Sequence, residues 1–177
     1  MYAITLWPEW AFCIAHLDKR VENRSWKAPS DYCKQRIAIH AGAHIGGRKA
    51  KVATAEGLEA ITETAFGMGW DLKPTDRAFA DGSIEILVDR WNEKEGAKAA
   101  PKLLACSAVV ATAMLVGSYR GYGDPWADPE SWNWLFEDVC TLDPPITGVV
   151  GSRGLWPLPP HVNDQVLKAT VHQGMGR

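Results

Sequence analysis

The chain has no apolar run of ~18 residues or more, so no segment reads as a membrane-spanning helix. Its first residues show no basic stretch followed by an apolar run, so a signal peptide is not expected. Cysteine is sparse. Cys13, Cys33, Cys106 and Cys140 lie far apart and form no Cys-x-x-Cys pair. That excludes a zinc knuckle and a thioredoxin-like motif, and predicts reduced, mostly buried thiols in a cytoplasmic protein. Gly151-Ser152-Arg153-Gly154 lacks the Gly-x-Ser-x-Gly spacing of a nucleophile elbow. Gly42, Gly46 and Gly47 are not followed by Gly-Lys-Ser/Thr, so nucleotide triphosphate hydrolysis on a P-loop is not supported. Neither internal repeats nor heptads occur. His40 and His44 are four apart, a metal-like spacing on a helix. His40, however, ends a predicted strand and two glycines follow, so no metal site and no cofactor are expected.

Charge of one sign is also lacking. The net charge is −2, which argues against non-specific coating of nucleic acid. The distribution is uneven. Residues 1–51 hold nine Lys/Arg against four Asp/Glu, a balance of +5, and residues 52–177 hold ten against seventeen, a balance of −7. The first portion, with Lys27, Lys34 and Arg36, suits one basic face beside a site, unless the fold intermixes the two portions. Tryptophan, by contrast, is abundant at nine of 177 residues. Most must fill the core or its rim. Trp7, Trp26 and Trp156 are the candidates for stacking on a base.

Length and composition predict one domain with its own core. Ala3–Leu6 reads as a strand. Pro8 suits the first turn of a helix that buries Trp10, Ile14 and Leu17. A turn and a strand then cover Lys19–Trp26. Arg36–His40 reads as a buried strand with Ile37 and Ile39 on one face. Residues 43–104 read as a largely helical insertion, of a size that often shapes specificity. The apolar, β-branched run within Cys106–Tyr119 predicts a central strand. Trp132–Val139 follows as a strand, with Pro144-Pro145 expected to stop it. Val149-Val150 and Leu155-Trp156 supply closing strands. The tail from His161 is expected to form a short helix ending near Thr170.

The run Leu17-Asp18-Lys19-Arg20-Val21-Glu22-Asn23-Arg24-Ser25-Trp26 carries the most chemistry. In an extended Val21–Ser25, Glu22 and Arg24 share one face, because side chains alternate along a strand. Lys19, at the turn before it, can lean over that face. An amine, a carboxylate and a guanidinium so grouped can hold a planar hydrogen-bonding ligand, a phosphate or a polarised carbonyl. They also suit an exposed ion-pair ladder on a hairpin. His40, at a strand end, is a further site candidate, with a structural histidine as the alternative. Ser152 and Arg153, in a glycine-flanked loop, can meet a ligand phosphate. Glu137 on an apolar strand points either into a site or out to water.

Leu17-x-Lys19-x-x-Glu22-x-Arg24 resembles the Gly-x-Lys-x-x-Glu-x-Arg signature of ASCH domains, small β-barrels of the PUA-like superfamily. The leading glycine is replaced by Leu17. Four further segments resemble the family in order: Leu6–Ala11, Arg36–Gly42, Trp132–Pro145 and Gly148–Pro157. The likeness covers roughly residues 2–50 and 105–160.

The resemblance implies an α+β fold: a PUA-like/ASCH small mixed β-barrel (2–42 and 105–160) with flanking helices, the helical insertion 43–104 and a tail 161–177. It implies binding of RNA, single-stranded nucleic acid or a nucleoside or nucleotide in a cleft on the barrel. Lys19, Glu22, Arg24, Trp7, Trp26, His40, Ser152 and Arg153 are the ligand-binding candidates. The alternative is a hydrolase of nucleosides or RNA, either an N4-acylcytidine amidohydrolase or a ribonuclease. Lys19 and Glu22 would then be catalytic. In the amidohydrolase branch the signature lysine is catalytic, but that branch has threonine where this chain has Glu22, so a hydroxyl nucleophile is missing there.

Overall fold

The computed structural model describes residues 1–16, 18–43, 105–124 and 126–174. The elements in chain order are β1 (Tyr2–Leu6), α1 (Pro8–His16), β2 (Val21–Arg24), a 3-10 turn (Ser30–Tyr32), β3 (Gln35–Ala41), β4 (Ala108–Tyr119), β5 (Trp132–Thr147), β6 (Leu155–Pro157) and α2 (Pro160–Gly174). The expected insertion lies outside the described residues, apart from Ala43, as does Leu17. Among the described residues no helix is long and apolar enough to cross a membrane.

The strands form one six-stranded sheet in the order β2-β5-β4-β3-β1-β6. Among the described residues only β1 and β3 run parallel; every other neighbouring pair is antiparallel. The sheet curls into a half-barrel, a mixed α+β architecture compatible with the small barrel expected. The apolar run expected to be central is β4, flanked on both sides.

Alternation along the strands sorts the core into two clusters. Ile4 and Leu6 of β1, Ile37 and Ile39 of β3, and Trp134 and Phe136 of β5 pack with Ile14 of α1. Ala3 and Ala38 face the other way, toward Trp156, Val162 and Val166. Val162 and Val166 are four apart on α2, so one face of that helix covers the sheet. α2 runs on past Thr170, where the sequence predicts its end, to Gly174.

Two expectations are corrected. Pro144-Pro145 does not end β5, which runs on to Thr147. Val109 pairs with Ile146 and Ala111 with Thr141, so residues 142–145 sit opposite Val110 alone. In such a bulge neither proline has to donate to the ladder. Val149-Val150 is not a strand; its segment is held by the Val149 N–H, which donates to the Ser107 carbonyl at 2.8 Å. Glu137 is exposed and faces water.

Candidate functional site

α1 starts where proline predicts, with the Trp7 carbonyl accepting from Trp10 N and Ala11 N at 3.0 Å each. It is turned off by Asp18, whose φ of 55° is left-handed, a region aspartate tolerates better than most residues. The reversal lets Lys19 N donate to the Cys13 carbonyl at 3.2 Å. Lys19 is thereby folded under the helix instead of leaning into solvent. It is 2% exposed. Its Nζ donates to the Val21 carbonyl and lies 3.4 Å from Glu22 Oε2. The rings of Trp10 and Trp126 flank it at 5.7 and 6.0 Å.

β2 then does what alternation predicts. Glu22 and Arg24 share a face, and Glu22 Oε1 is 3.2 Å from Arg24 Nε. Glu22 therefore sits between two cations, with Lys19 behind it and Arg24 beside it. Arg24 extends further, and its Nη2 donates to the Thr5 carbonyl at 2.8 Å. The Leu6 carbonyl is turned toward β3, accepting from Gly42 N at 2.8 Å, so the Thr5 carbonyl points away from β3. Among the described residues β6 pairs with Tyr2, Ala3 and Ile4 and stops short of Thr5, whose carbonyl Arg24 takes instead.

Here a cleft of about 610 Å³ lies between the two borders of the sheet. Its size lies in the range of small-ligand sites, about 300–1,000 Å³. Glu22, Asn23 and Arg24 of β2 form one wall, and Thr5 and Leu6 of β1 with Ser152, Arg153 and Gly154 form the other. Trp7, Trp10, Trp26, Gly42 and Ala43 complete the lining. Trp7 is 42% exposed. Trp26 is fixed edge-on against Trp134, ring centroids 4.5 Å apart, and its carbonyl accepts from Trp134 Nε1 at 3.0 Å.

Of the residues singled out from sequence, Glu22, Arg24, Trp7, Trp26, Ser152 and Arg153 meet in the cleft. Lys19 stands behind Glu22 and does not line it. His40 and Trp156 meet each other instead, edge to face at 5.4 Å. His40 shares a face with Ala38, not with the Ile37–Ile39 side. Its Nε2 bonds the Val149 carbonyl at 2.9 Å, which makes Nε2 the donor, so in the neutral ring Nδ1 carries no proton. Burial pulls the imidazole below the usual histidine range, against the opposing effect of the Val149 bond. Gly151 lies directly on the ring, where an added Cβ would come within 2.5 Å of Cε1. Trp156 Nε1 donates to Thr5 Oγ1 at 2.9 Å, so Thr5 connects the two places: carbonyl to the cleft, hydroxyl to the His40 side.

Cys13 is fully buried near the site, and burial first, with the Glu9 and Glu22 carboxylates, pushes its thiol strongly up despite Lys19. A thiol so held is not a nucleophile. Among the described residues no group of three His, Cys, Asp or Glu side chains is placed to hold a metal ion.

Sequence reasoning missed the Thr5 carbonyl, Trp10 and Asn23. A backbone acceptor has no residue signature, and Trp10 read as helix core. Asn23 donates its side chain away, to the Trp126 carbonyl at 2.9 Å, yet borders the cleft on strand β2. No protein-family model matches the chain, and no curated protein matches it.

Proposed function

We propose that the chain is an ASCH-type domain of the PUA-like superfamily that binds RNA or a single modified nucleotide in this cleft. One observation carries the reading: the Glu22–Arg24 edge and three tryptophans line one cleft of about 610 Å³. A carboxylate accepts from the N–H edge of a base, and a guanidinium meets its carbonyl or a phosphate oxygen. Trp7 is free enough to stack. Lys19 orients Glu22 from behind and compensates its charge. Arg153, on the opposite wall, is exposed and suits a ligand phosphate. Four free thiols agree with work in the cytoplasm.

A second reading draws on the same buried pair. Beside Lys19, the Glu22 carboxylate is a candidate base toward water in hydrolysis of an acylated nucleoside or of RNA.

Calorimetric titration with cytidine, N4-acetylcytidine and a short single-stranded RNA tests both, with amide release followed by chromatography. Binding by the wild type that falls at least about tenfold in Glu22→Ala, without product, is the expected result. Product whose release depends on Lys19 and Glu22 would establish the hydrolase. No binding of any of the three would overturn both.

A further inference from the structure

Among the described residues, several cations are paired with carboxylates: Lys19 and Arg24 with Glu22, Arg20 with Asp18, and Arg36 with Asp138. Lys27 and Arg120 differ. Both are exposed, and among the described residues neither has an ion-pair partner. Both instead sit over one ring, that of Trp132, with Lys27 Nζ 5.7 Å and Arg120 Cζ 5.1 Å from its centroid.

The difference matters electrostatically. A carboxylate cancels the cation it holds, whereas an aromatic face orients a cation and leaves its charge intact. Two cations fixed this way, from segments far apart in sequence, concentrate uncompensated positive charge at one spot.

Register places that spot beside the cleft. Arg24 and Trp132 are paired across β2 and β5, so their side chains share a face. Lys27 directly follows Trp26, which lines the cleft. Asp128, in the loop before β5, is held from the opposite face of β2. There the paired Asn23 and Asn133 bond to each other at 3.0 Å and to the backbone of Asp128.

We infer that Lys27 and Arg120, positioned by Trp132, form a phosphate subsite flanking the cleft. Its ligand is the phosphodiester of the nucleotide next to the one held at Glu22 and Arg24. The partner is then single-stranded nucleic acid, not a free nucleoside. This rests on the nucleotide reading of the cleft.

The test compares a fluorescein-labelled single-stranded oligoribonucleotide, followed by anisotropy, with cytidine, followed by calorimetry. In Lys27→Ala/Arg120→Ala the oligomer should bind about tenfold or more weakly. The slope of log affinity against log salt should become shallower by about 0.7 for each phosphate that is no longer neutralised. Cytidine affinity should not change. Trp132→Phe, which keeps both charges, should weaken the oligomer and again spare cytidine. Unchanged oligomer affinity and salt slope in the double variant would overturn the subsite while leaving the cleft reading intact. A wild type that binds the oligomer through Lys27 and Arg120 with an affinity that Glu22→Ala leaves unchanged would support the subsite and remove the cleft reading. A wild type that does not bind the oligomer would overturn the subsite.

Discussion

Arg24 and Thr5 are joined by one hydrogen bond, Nη2 to main-chain carbonyl at 2.8 Å, that crosses the gap between the borders of the sheet. β2 is one border and β1 lies one strand in from the other. The half-barrel is thus bridged at this point by a side chain instead of a ladder. The same guanidinium contacts Glu22, so the bridge and the candidate ligand edge are one assembly.

Arg24→Lys keeps the charge but cannot reach both partners, since an ammonium is a single point where the guanidinium is a fork. The variant should lose about 1–3 kcal/mol of stability. The check is a urea midpoint that falls with an unchanged slope. An unchanged midpoint would show that the crossing bond adds nothing.

Lys19 and Glu22 are coupled inside the protein, with side chains 3% and 10% exposed. Lys19→Met leaves Glu22 with its rear partner gone and should cost about 3–5 kcal/mol. Adding Glu22→Gln removes the charge that was stranded, so the double variant should be more stable than Lys19→Met alone. Denaturant unfolding of the wild type, both single variants and the double variant measures the coupling. Strictly additive losses would contradict it.

Stability should fall in mild acid. Burial holds His40 and His16 below the usual value of 6.5, opposed by Val149 at His40 and by Asp143 at His16. Between the lowered folded value and 6.5, the unfolded chain binds more protons than the folded one. Stability is therefore full above about 6.5 and declines as pH drops through that value. His40→Gln, which can still donate to Val149, should flatten part of the decline and leave the His16 share. A decline of unchanged steepness would contradict the assignment.

Gly151→Ala tests the loop that walls the cleft. The new methyl would meet His40 Nδ1 and Thr5 Oγ1, both at 2.7 Å. Ring and hydroxyl are held by their own bonds, so the loop must move. A loss of about 1–3 kcal/mol is expected, read as a lower melting temperature. A wild-type melting temperature would mean that the loop yields freely.

What the sequence made legible was local. Proline placed the start of α1, and alternation put Glu22 and Arg24 on one face and Ile37 with Ile39 on another. The burial of Lys19 was not legible, because it depends on a left-handed Asp18 and on Trp126, far along the chain. His40 read as a cleft residue because its face depends on the sheet pairing. The continuation of β5 through Pro144-Pro145 depends on a bulge that only the register with β4 reveals. The gap between sheet borders, which makes the cleft, is a property of strand order and not of any segment.

The most direct test of the cleft is the indole N–H spectrum of the nitrogen-15-labelled protein, its tryptophan signals assigned by single Trp→Phe variants. N4-acetylcytidine or a short single-stranded RNA is then titrated in. Trp7, Trp10 and Trp26 line the cleft, whereas the Trp134 and Trp156 indoles are bonded to Trp26 and Thr5 in the core. Shifts concentrated on Trp7, Trp10 and Trp26, saturating with ligand and lost in Glu22→Ala, are expected. A spectrum that does not move, or that moves only at tryptophans outside the cleft, would contradict nucleotide binding there.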